Sequence, residues 1–150
     1  MRTGICWLVL LLSFPSYGGL LDKLTAPEPQ FLPTHQAFPL SIDIHNQTLT
    51  AHWNTAEGYY LYQHRIYLVQ DSVRTDAVSW SEPGLEKYDE AFGDIVAFYG
   101  SLSATFDLSG LTKGEVILHY QGCADAGLCY PPQRLRIEIP AANTPQPISH

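Results

Sequence analysis

Two cysteines stand close together near the end of the chain, in the segment YQGCADAGLCYPP. Five residues separate Cys123 from Cys129, and the remaining cysteine, Cys6, lies in an apolar run at the N-terminus. A cysteine pair can form a disulfide that stabilises a fold, or one that exchanges electrons with a partner through thiolate attack on sulfur. The residues therefore point to thiol–disulfide chemistry, provided that the chain reaches an oxidising compartment.

The spacing of this pair leaves both uses open. We expect Cys123 to follow one strand and Cys129 to begin the next, so that the two face each other across a hairpin. A disulfide that closes so short a loop stabilises the folded state by only roughly 2 kcal/mol. A structural immunoglobulin disulfide instead joins the two sheets and would contribute more. Against this, two cysteines in a small exported domain are usually structural, and C-x5-C is not a redox signature as C-x-x-C is.

Other kinds of chemistry find little support in the sequence. We see no nucleophile–base motif and no glycine-rich phosphate loop, so no cofactor is expected. His64 and His119 show no paired spacing typical of zinc, so no metal is expected either. The formal charge of −7, from 8 Lys+Arg against 15 Asp+Glu, argues against nucleic-acid binding and against electrostatic docking on anionic lipid.

The N-terminal segment has the pattern of an export signal. Arg2 precedes an apolar run from about Ile5 to Phe14, and Ser16 and Gly18 suit a cleavage site. We expect residues 1–18 to be a signal peptide that is removed together with Cys6; the alternative is an uncleaved anchor. Residues 141–150 are polar and contain prolines, and we interpret them as a disordered tail or linker stub.

The remaining residues, 19–140, favour strands. Apolar and polar residues alternate in AFPLSIDIHN, QTLTAHWNT, SLSATFDLSGL and QRLRIEIP, with turn residues between them. Residues 20–36 are expected to form an irregular arm, DSVRTD to be a polar stretch after a strand, and LEKYDEAFGD to be a loop that leads into a strand. Seven or eight short strands without a convincing helix predict an all-β, immunoglobulin-like β-sandwich, which we expect to be a monomer.

The cysteine segment YQGCADAGLCYPP resembles the active-site segment of the N-terminal periplasmic domain of the DsbD family of thiol:disulfide interchange proteins. FLPTHQAFPLSID is similar to the entry segment of that domain, GYYLYQHRI to its tyrosine-rich strand and YDEAFGD to its cap loop. These segments cover most of residues 20–140 in the same order. The resemblance implies an immunoglobulin-like fold and a periplasmic location.

It also implies a redox relay. A membrane-bound thioredoxin-like domain would reduce the disulfide, and the dithiol would pass the electrons to exported acceptors such as disulfide isomerases and cytochrome c maturation thioredoxins. By position, Cys129 would form the mixed disulfide with these partners and Cys123 would resolve it. The acidic pair Asp89 and Glu90 of the cap loop would raise the thiol pKa, to which Asp125 could contribute.

Two further features follow from the same resemblance. Tyr60 and Tyr62 would line the site, and a phenol there could hydrogen-bond a sulfur. The cap loop departs from the family pattern D-E-F-Y-G, because Ala91 stands at the position of the lid phenylalanine and Phe92 at that of the tyrosine. Either Phe92 shields the disulfide from one residue further along, which we expect, or this disulfide is less protected.

Two other functions remain open on the sequence. One is a non-catalytic immunoglobulin-like binding domain with a structural hairpin disulfide, and the other is an exported copper-handling accessory. The relay of the family also involves a multi-span membrane domain and a C-terminal thioredoxin-like domain, neither of which these residues contain. We therefore expect either a fragment of a longer membrane protein or a free-standing domain that is reduced by another chain.

Overall fold

Alternating apolar and polar residues shape most of residues 31–140 into antiparallel strands. The computed structural model describes residues 31–140. It has one short helix, α1 (Thr34–Ala37), and one 3-10 helix (Gln63–Arg65). The strands are β1 (Leu40–His45), β2 (Thr48–Asn54), β3 (Tyr59–Tyr62), β4 (Tyr67–Gln70), β5 (Val73–Asp76), β6 (Ser79–Trp80), β7 (Leu85–Asp89), β8 (Gly93–Tyr99), β9 (Ser101–Asp107), β10 (Gly114–Tyr120), β11 (Gly122–Ala124) and β12 (Gln133–Ile139).

The strands form three sheets of four strands each, which we call the first, second and third sheet. The first has the order β1-β2-β9-β6, the second β12-β10-β4-β5 and the third β11-β3-β8-β7. Every strand pair is antiparallel. This arrangement confirms the predicted all-β, immunoglobulin-like β-sandwich.

The main core lies where the first sheet faces the other two. Strand β2 alternates half-buried and buried residues, so that Leu49, Ala51 and Trp53 all point inward. They pack with inward residues of the second and third sheets, among them Leu118 and Leu61. A separate small cluster lies on the opposite face of the third sheet and contains Tyr60, Tyr62, Ile95, Ala97 and Cys123.

Two segments expected to lack regular structure are strands. Residues Leu85–Asp89, predicted as a loop, form β7 and pair with β8 in a hairpin from Leu85↔Ala97 to Asp89↔Gly93. Residues Val73–Asp76, interpreted only as polar, form β5 beside β4. Both are edge strands, and one side of an edge strand faces water, so polar side chains there do not prevent pairing. The prediction of seven or eight strands was therefore too low.

The N-terminal arm is also more regular than expected. At the end of the predicted irregular residues 20–36, Thr34–Ala37 form a single helical turn that runs one residue past them, and the next residue, Phe38, is buried. The predicted signal peptide at residues 1–18, the rest of the arm up to residue 30 and the predicted tail at residues 141–150 lie outside the described residues. Among residues 31–140, no helix has the length and apolar character that crossing a membrane requires.

Candidate functional site

Cys123 and Cys129 form a disulfide, with their Cα atoms 4.0 Å apart. Cys123 lies within β11, opposite Tyr60 of β3, and pairs with Cys129 in an isolated antiparallel bridge. The expectation that Cys129 begins the next strand was wrong, since β12 starts only at Gln133. Pro131 and Pro132 follow the bridge, and proline cannot donate to a ladder, so the next strand begins beyond them.

Gly122 allows this strand to lie where it does. A Cβ atom added at this position would collide with the backbone oxygen of Tyr60 and would lie 2.6 Å from Cε1 of Phe38. The missing side chain therefore lets β11 approach both β3 and the main core. The close approach brings the neighbouring Cys123 under the aromatic cluster of the third sheet.

The two cysteines differ sharply in exposure. Cys123 is 1% exposed and belongs to the small cluster, whereas Cys129 is exposed. Exchange requires in-line attack on one sulfur, and access decides which sulfur is attacked. The arrangement therefore suits attack on Cys129 with Cys123 as the leaving sulfur.

Tyr62 lies at the centre of the site. Side chains alternate along β3, which sends Tyr60 and Tyr62 to the outer face of the third sheet and Tyr59 to the main core. The hydroxyl of the fully buried Tyr62 is 2.9 Å from Sγ of Cys123 and 3.7 Å from Sγ of Cys129. The same hydroxyl donates to Oδ2 of Asp89 at 2.7 Å.

Asp89 is held by its own turn. Its Oδ1 accepts hydrogen bonds from the backbone N–H groups of Ala91 at 2.8 Å and Phe92 at 3.1 Å. The hydroxyl of Tyr62, followed by these backbone donors, lowers the pKa of Asp89 below its ordinary value. Burial and then the carboxylate raise the pKa of Tyr62 well above its ordinary value. At neutral pH the pair is therefore a neutral phenol that donates to a carboxylate.

The phenol has only one proton to give. A disulfide sulfur cannot donate, and the proton of Tyr62 points to Asp89, so a lone pair of the phenol oxygen faces Cys123 in the oxidised state. In the dithiol, the thiol of Cys123 can donate to that oxygen. A hydrogen bond made by the neutral thiol favours it over the thiolate.

The remaining predicted residues are placed differently. Glu90 is exposed at the tip of the turn, and no hydrogen bond found within residues 31–140 joins it to the site. Asp125, in the loop between the cysteines, accepts from Tyr99 at 2.8 Å and from Lys87 at 3.4 Å. The carboxylate of Asp125 is thus paired with the ammonium group of Lys87, and among the described residues no hydrogen bond joins it to a sulfur.

Phe92 packs against the site from outside. Its ring meets Tyr62 edge-to-face with centroids 5.2 Å apart, lies 5.3 Å from the ring of His64 and has the guanidinium of Arg65 4.4 Å from its centroid. The side chain is 38% exposed, and Cys129 is exposed as well. The structure thus places Phe92 over Tyr62, and its protection of the disulfide stays a prediction.

Sequence reasoning did not assign a role to Lys87. It lies two residues before Asp89 and therefore on the same face of β7. Its Nζ is 4.0 Å from the ring centroid of Tyr60 and 3.1 Å from the hydroxyl of Tyr99. Burial lowers the pKa of Lys87, but the hydrogen bond to Tyr99 and the neighbouring tyrosines and Asp125 outweigh it and raise the pKa. The period of two would have pointed to Lys87 if Leu85–Asp89 had been recognised as a strand.

The pKa of His64 is a second feature of the site that the sequence did not predict. Burial, followed by the charges of Arg65 and Arg74, lowers its pKa below the ordinary value, while Asp89 opposes them. His64 therefore stays neutral beside Phe92 at neutral pH. In residues 31–140 no three His, Cys, Asp or Glu side chains come together as a group that could hold a metal ion.

Comparison with known proteins places this site in a family. The model of the N-terminal domain of the thiol:disulfide interchange protein DsbD matches residues 28–141. The DsbD protein of Vibrio cholerae is 39% identical over 115 residues, which cover 76% of this chain and 19% of that protein. The Escherichia coli DsbD protein is 33% identical over 156 residues, covering 99% of this chain and 27% of its own length. The chain thus spans about a fifth to a quarter of these relatives.

Solved structures agree with this result. The reduced DsbD N-terminal domain of Neisseria meningitidis is 29% identical with a TM-score of 0.62, over 73% of this chain and 90% of that one. A complex between the DsbD and PilB N-terminal domains of the same organism matches at 27% identity with a TM-score of 0.57, over 79% of this chain and 95% of that one.

Proposed function

The chain belongs to the family of DsbD N-terminal domains, and on this premise we propose that it is a periplasmic thiol–disulfide exchange module. It accepts two electrons from a membrane-bound thioredoxin-like reductant. It passes them to exported thioredoxin-like acceptors, of the disulfide isomerase and cytochrome c maturation types. The solved complex of the Neisseria DsbD N-terminal domain with the N-terminal domain of PilB supports a partner domain that belongs to a different protein.

The observation that carries the proposal is the difference in exposure between the two sulfurs. A thiolate of the donor attacks Sγ of the exposed Cys129, the S–S bond breaks, and Cys123 leaves as a thiolate that takes up a proton. The second thiolate of the donor then attacks the mixed disulfide and releases Cys129, which is protonated in turn. The donor is oxidised, and the domain gains two electrons and two protons.

Electrons leave by the reverse sequence. The thiolate of Cys129 attacks the disulfide of the acceptor and forms a mixed disulfide. Cys123 then loses its proton, attacks Cys129 and closes the original bond, which releases the acceptor as a dithiol. Because Cys123 is buried, it reacts only when a partner already occupies Cys129.

Tyr62 and Asp89 keep the resolving thiol protonated between partners. The phenol oxygen accepts from Cys123 while its own proton is held by Asp89, and a neutral thiol is a poor nucleophile toward stray oxidants. Glu90 adds negative charge at the exposed tip of the turn, Tyr60 supports the ring of Tyr62, and Phe92 caps that ring from outside.

Trapping of the mixed disulfide tests the proposal. In Cys123→Ser the exposed Cys129 has no resolving thiol, so we expect a stable adduct with thioredoxin-like proteins from a periplasmic extract, identified by mass spectrometry. Cys129→Ser is the matched control and should give almost no adduct, since Cys123 is buried. No adduct through Cys129 would contradict the relay.

A redox titration separates the relay from a binding domain with a structural disulfide. A relay requires a reduction potential within reach of cellular dithiols. A potential below about −300 mV would instead indicate a permanently oxidised, structural bond.

A further inference from the structure

Three aromatic rings stand in a row beside the disulfide. Tyr60 and Tyr62 meet edge-to-face with centroids 5.4 Å apart, and Tyr62 meets Phe92 in the same way at 5.2 Å. The middle ring, Tyr62, is the one whose hydroxyl contacts Cys123. A shift of Tyr62 within this row therefore moves the phenol relative to the sulfur.

A cation covers each end of the row. Nζ of Lys87 lies 4.0 Å from the centroid of Tyr60, and Cζ of Arg65 lies 4.4 Å from the centroid of Phe92. The two cations come from different elements, the edge strand β7 and the 3-10 helix after β3. The chain has eight lysines and arginines in total, and two of them lie over this one row of three rings.

The outer end of the row depends on Arg65. Phe92 sits in a turn and is 38% exposed, and the guanidinium of Arg65 covers its ring together with the rings of Tyr62 and His64. Nε of Arg65 is buried without a hydrogen-bond partner in the described part of the chain, so this atom does not anchor the guanidinium. A cation over an aromatic face is attracted by the negative potential of the ring, and this contact is worth about 0.5–1 kcal/mol at exposed sites.

We propose that Arg65 and Lys87 are positioning residues for the exchange reaction, which close the aromatic row at both ends and hold Tyr62 against Cys123. The inference rests on the proposed function for its purpose, though its geometry does not. With the row closed, a small thiol reaches the exposed Cys129 and not Cys123. When one end is opened, Phe92 or Tyr60 moves outward, Tyr62 follows, and the sulfur of Cys123 becomes open to attack as well.

The rate of disulfide reduction by mercaptoethanol, whose thiolate carries no charge besides that of the sulfur, tests this role in the 150-residue chain. We expect Arg65→Met and Lys87→Met to be reduced about two- to fivefold faster than the wild type, which is the rate factor that loss of an exposed cation–π contact gives. Arg65→Lys and Lys87→Arg keep a cation over the ring and should restore the wild-type rate. Arg136→Met, on β12 of the second sheet, is the matched control and should react like the wild type.

Charged thiols distinguish positioning from a simple effect of charge. If the cations hold the row, the rate rises by the same factor with anionic mercaptoethanesulfonate and with cationic cysteamine. The attacking thiolates of mercaptoethanesulfonate, mercaptoethanol and cysteamine are doubly charged, singly charged and net neutral. If Arg65 and Lys87 act only by attracting the thiolate, their loss slows mercaptoethanesulfonate most, mercaptoethanol less and cysteamine least, which would overturn the proposal. Unchanged rates with all three thiols would overturn it too.

Coupling between Arg65 and Phe92 gives a second measurement. We expect Arg65→Met to accelerate reduction far less in a Phe92→Leu background, because the ring that the cation covers is gone. Additive effects would contradict the proposal, and urea unfolding of each variant shows whether the fold is kept. The thiol assays need no protein partner, so failure of the relay appears separately, as a missing adduct in Cys123→Ser.

Discussion

Removal of the hydroxyl of Tyr62 isolates the contact that distinguishes this disulfide from a plain hairpin staple. In Tyr62→Phe the ring keeps its edge-to-face contacts with Tyr60 and Phe92. What is lost is the oxygen 2.9 Å from Sγ of Cys123 and the donor 2.7 Å from Asp89. The substitution therefore tests the polar contact without creating a cavity.

The expected effect is a lower reduction potential. The phenol oxygen can accept a hydrogen bond from the thiol of Cys123 in the dithiol, but the disulfide has no proton to donate. Loss of the oxygen thus destabilises the reduced state relative to the oxidised state by the net worth of one hydrogen bond, about 0.5–1.5 kcal/mol. For a two-electron couple this corresponds to a fall of about 10–30 mV.

Equilibration with dithiothreitol buffers at pH 7, followed by alkylation and mass spectrometry, measures the shift. Tyr67→Phe is the matched control: its ring stacks on His119 in the second sheet, and the potential should not change. An unchanged potential would mean that the contact has the same worth in both redox states, and a higher potential would mean that the phenol donates to the disulfide. Either result would refute the reasoning.

Three further predictions concern the surroundings of the site. Phe92→Ala should raise the rate of disulfide reduction by mercaptoethanol, and a rate equal to the wild type would show that Phe92 is not a cap. Gly122→Ala should lower the free energy of unfolding in urea by about 1–3 kcal/mol, since the added Cβ overlaps the backbone of Tyr60; wild-type stability would mean that β11 can shift outward. The folded state lowers the pKa of His64, so His64 contributes stability above its unfolded pKa of about 6.5 that is lost as the pH falls below it. Urea unfolding should therefore show a smaller loss of stability between pH 7.5 and pH 5.5 in His64→Gln than in the wild type, and equal losses would contradict the assignment.

The sequence predicted the parts of the molecule that depend on local pattern. Alternation along β3 separated Tyr59 from Tyr60, and the structure places them in different clusters. Alternation in β2 and β9 likewise predicted strands of an all-β fold. In these strands one face is buried, so the hydrophobic pattern fixes which side each residue faces.

The parts that failed depend on pairing across the sheet. Leu85–Asp89 has no clean alternation, and only its register with β8 makes it a strand. Without that strand, nothing in the sequence relates Lys87 to Tyr60 or to Asp125. The contact of Arg65 with Phe92 is similar, because it joins a 3-10 helix to a turn twenty-seven residues later in the chain. The resemblance to a known family identified the two cysteines of the site, but it did not identify the two cations at the ends of the aromatic row.

The disulfide joins two residues that are close in sequence, and this limits how much its reduction can affect proteolysis of the protein. The bond closes a loop with a sequence separation of 6, so its loss costs only about 2 kcal/mol on the chain-entropy model. The main core joins the sheets without it, and small domains are typically stable by about 5–15 kcal/mol. A reduced molecule then still unfolds rarely, and proteolysis follows the population of the open form. The reduced domain therefore opens up to about thirtyfold more often than the oxidised one, yet it stays folded almost all of the time while it is loaded with electrons.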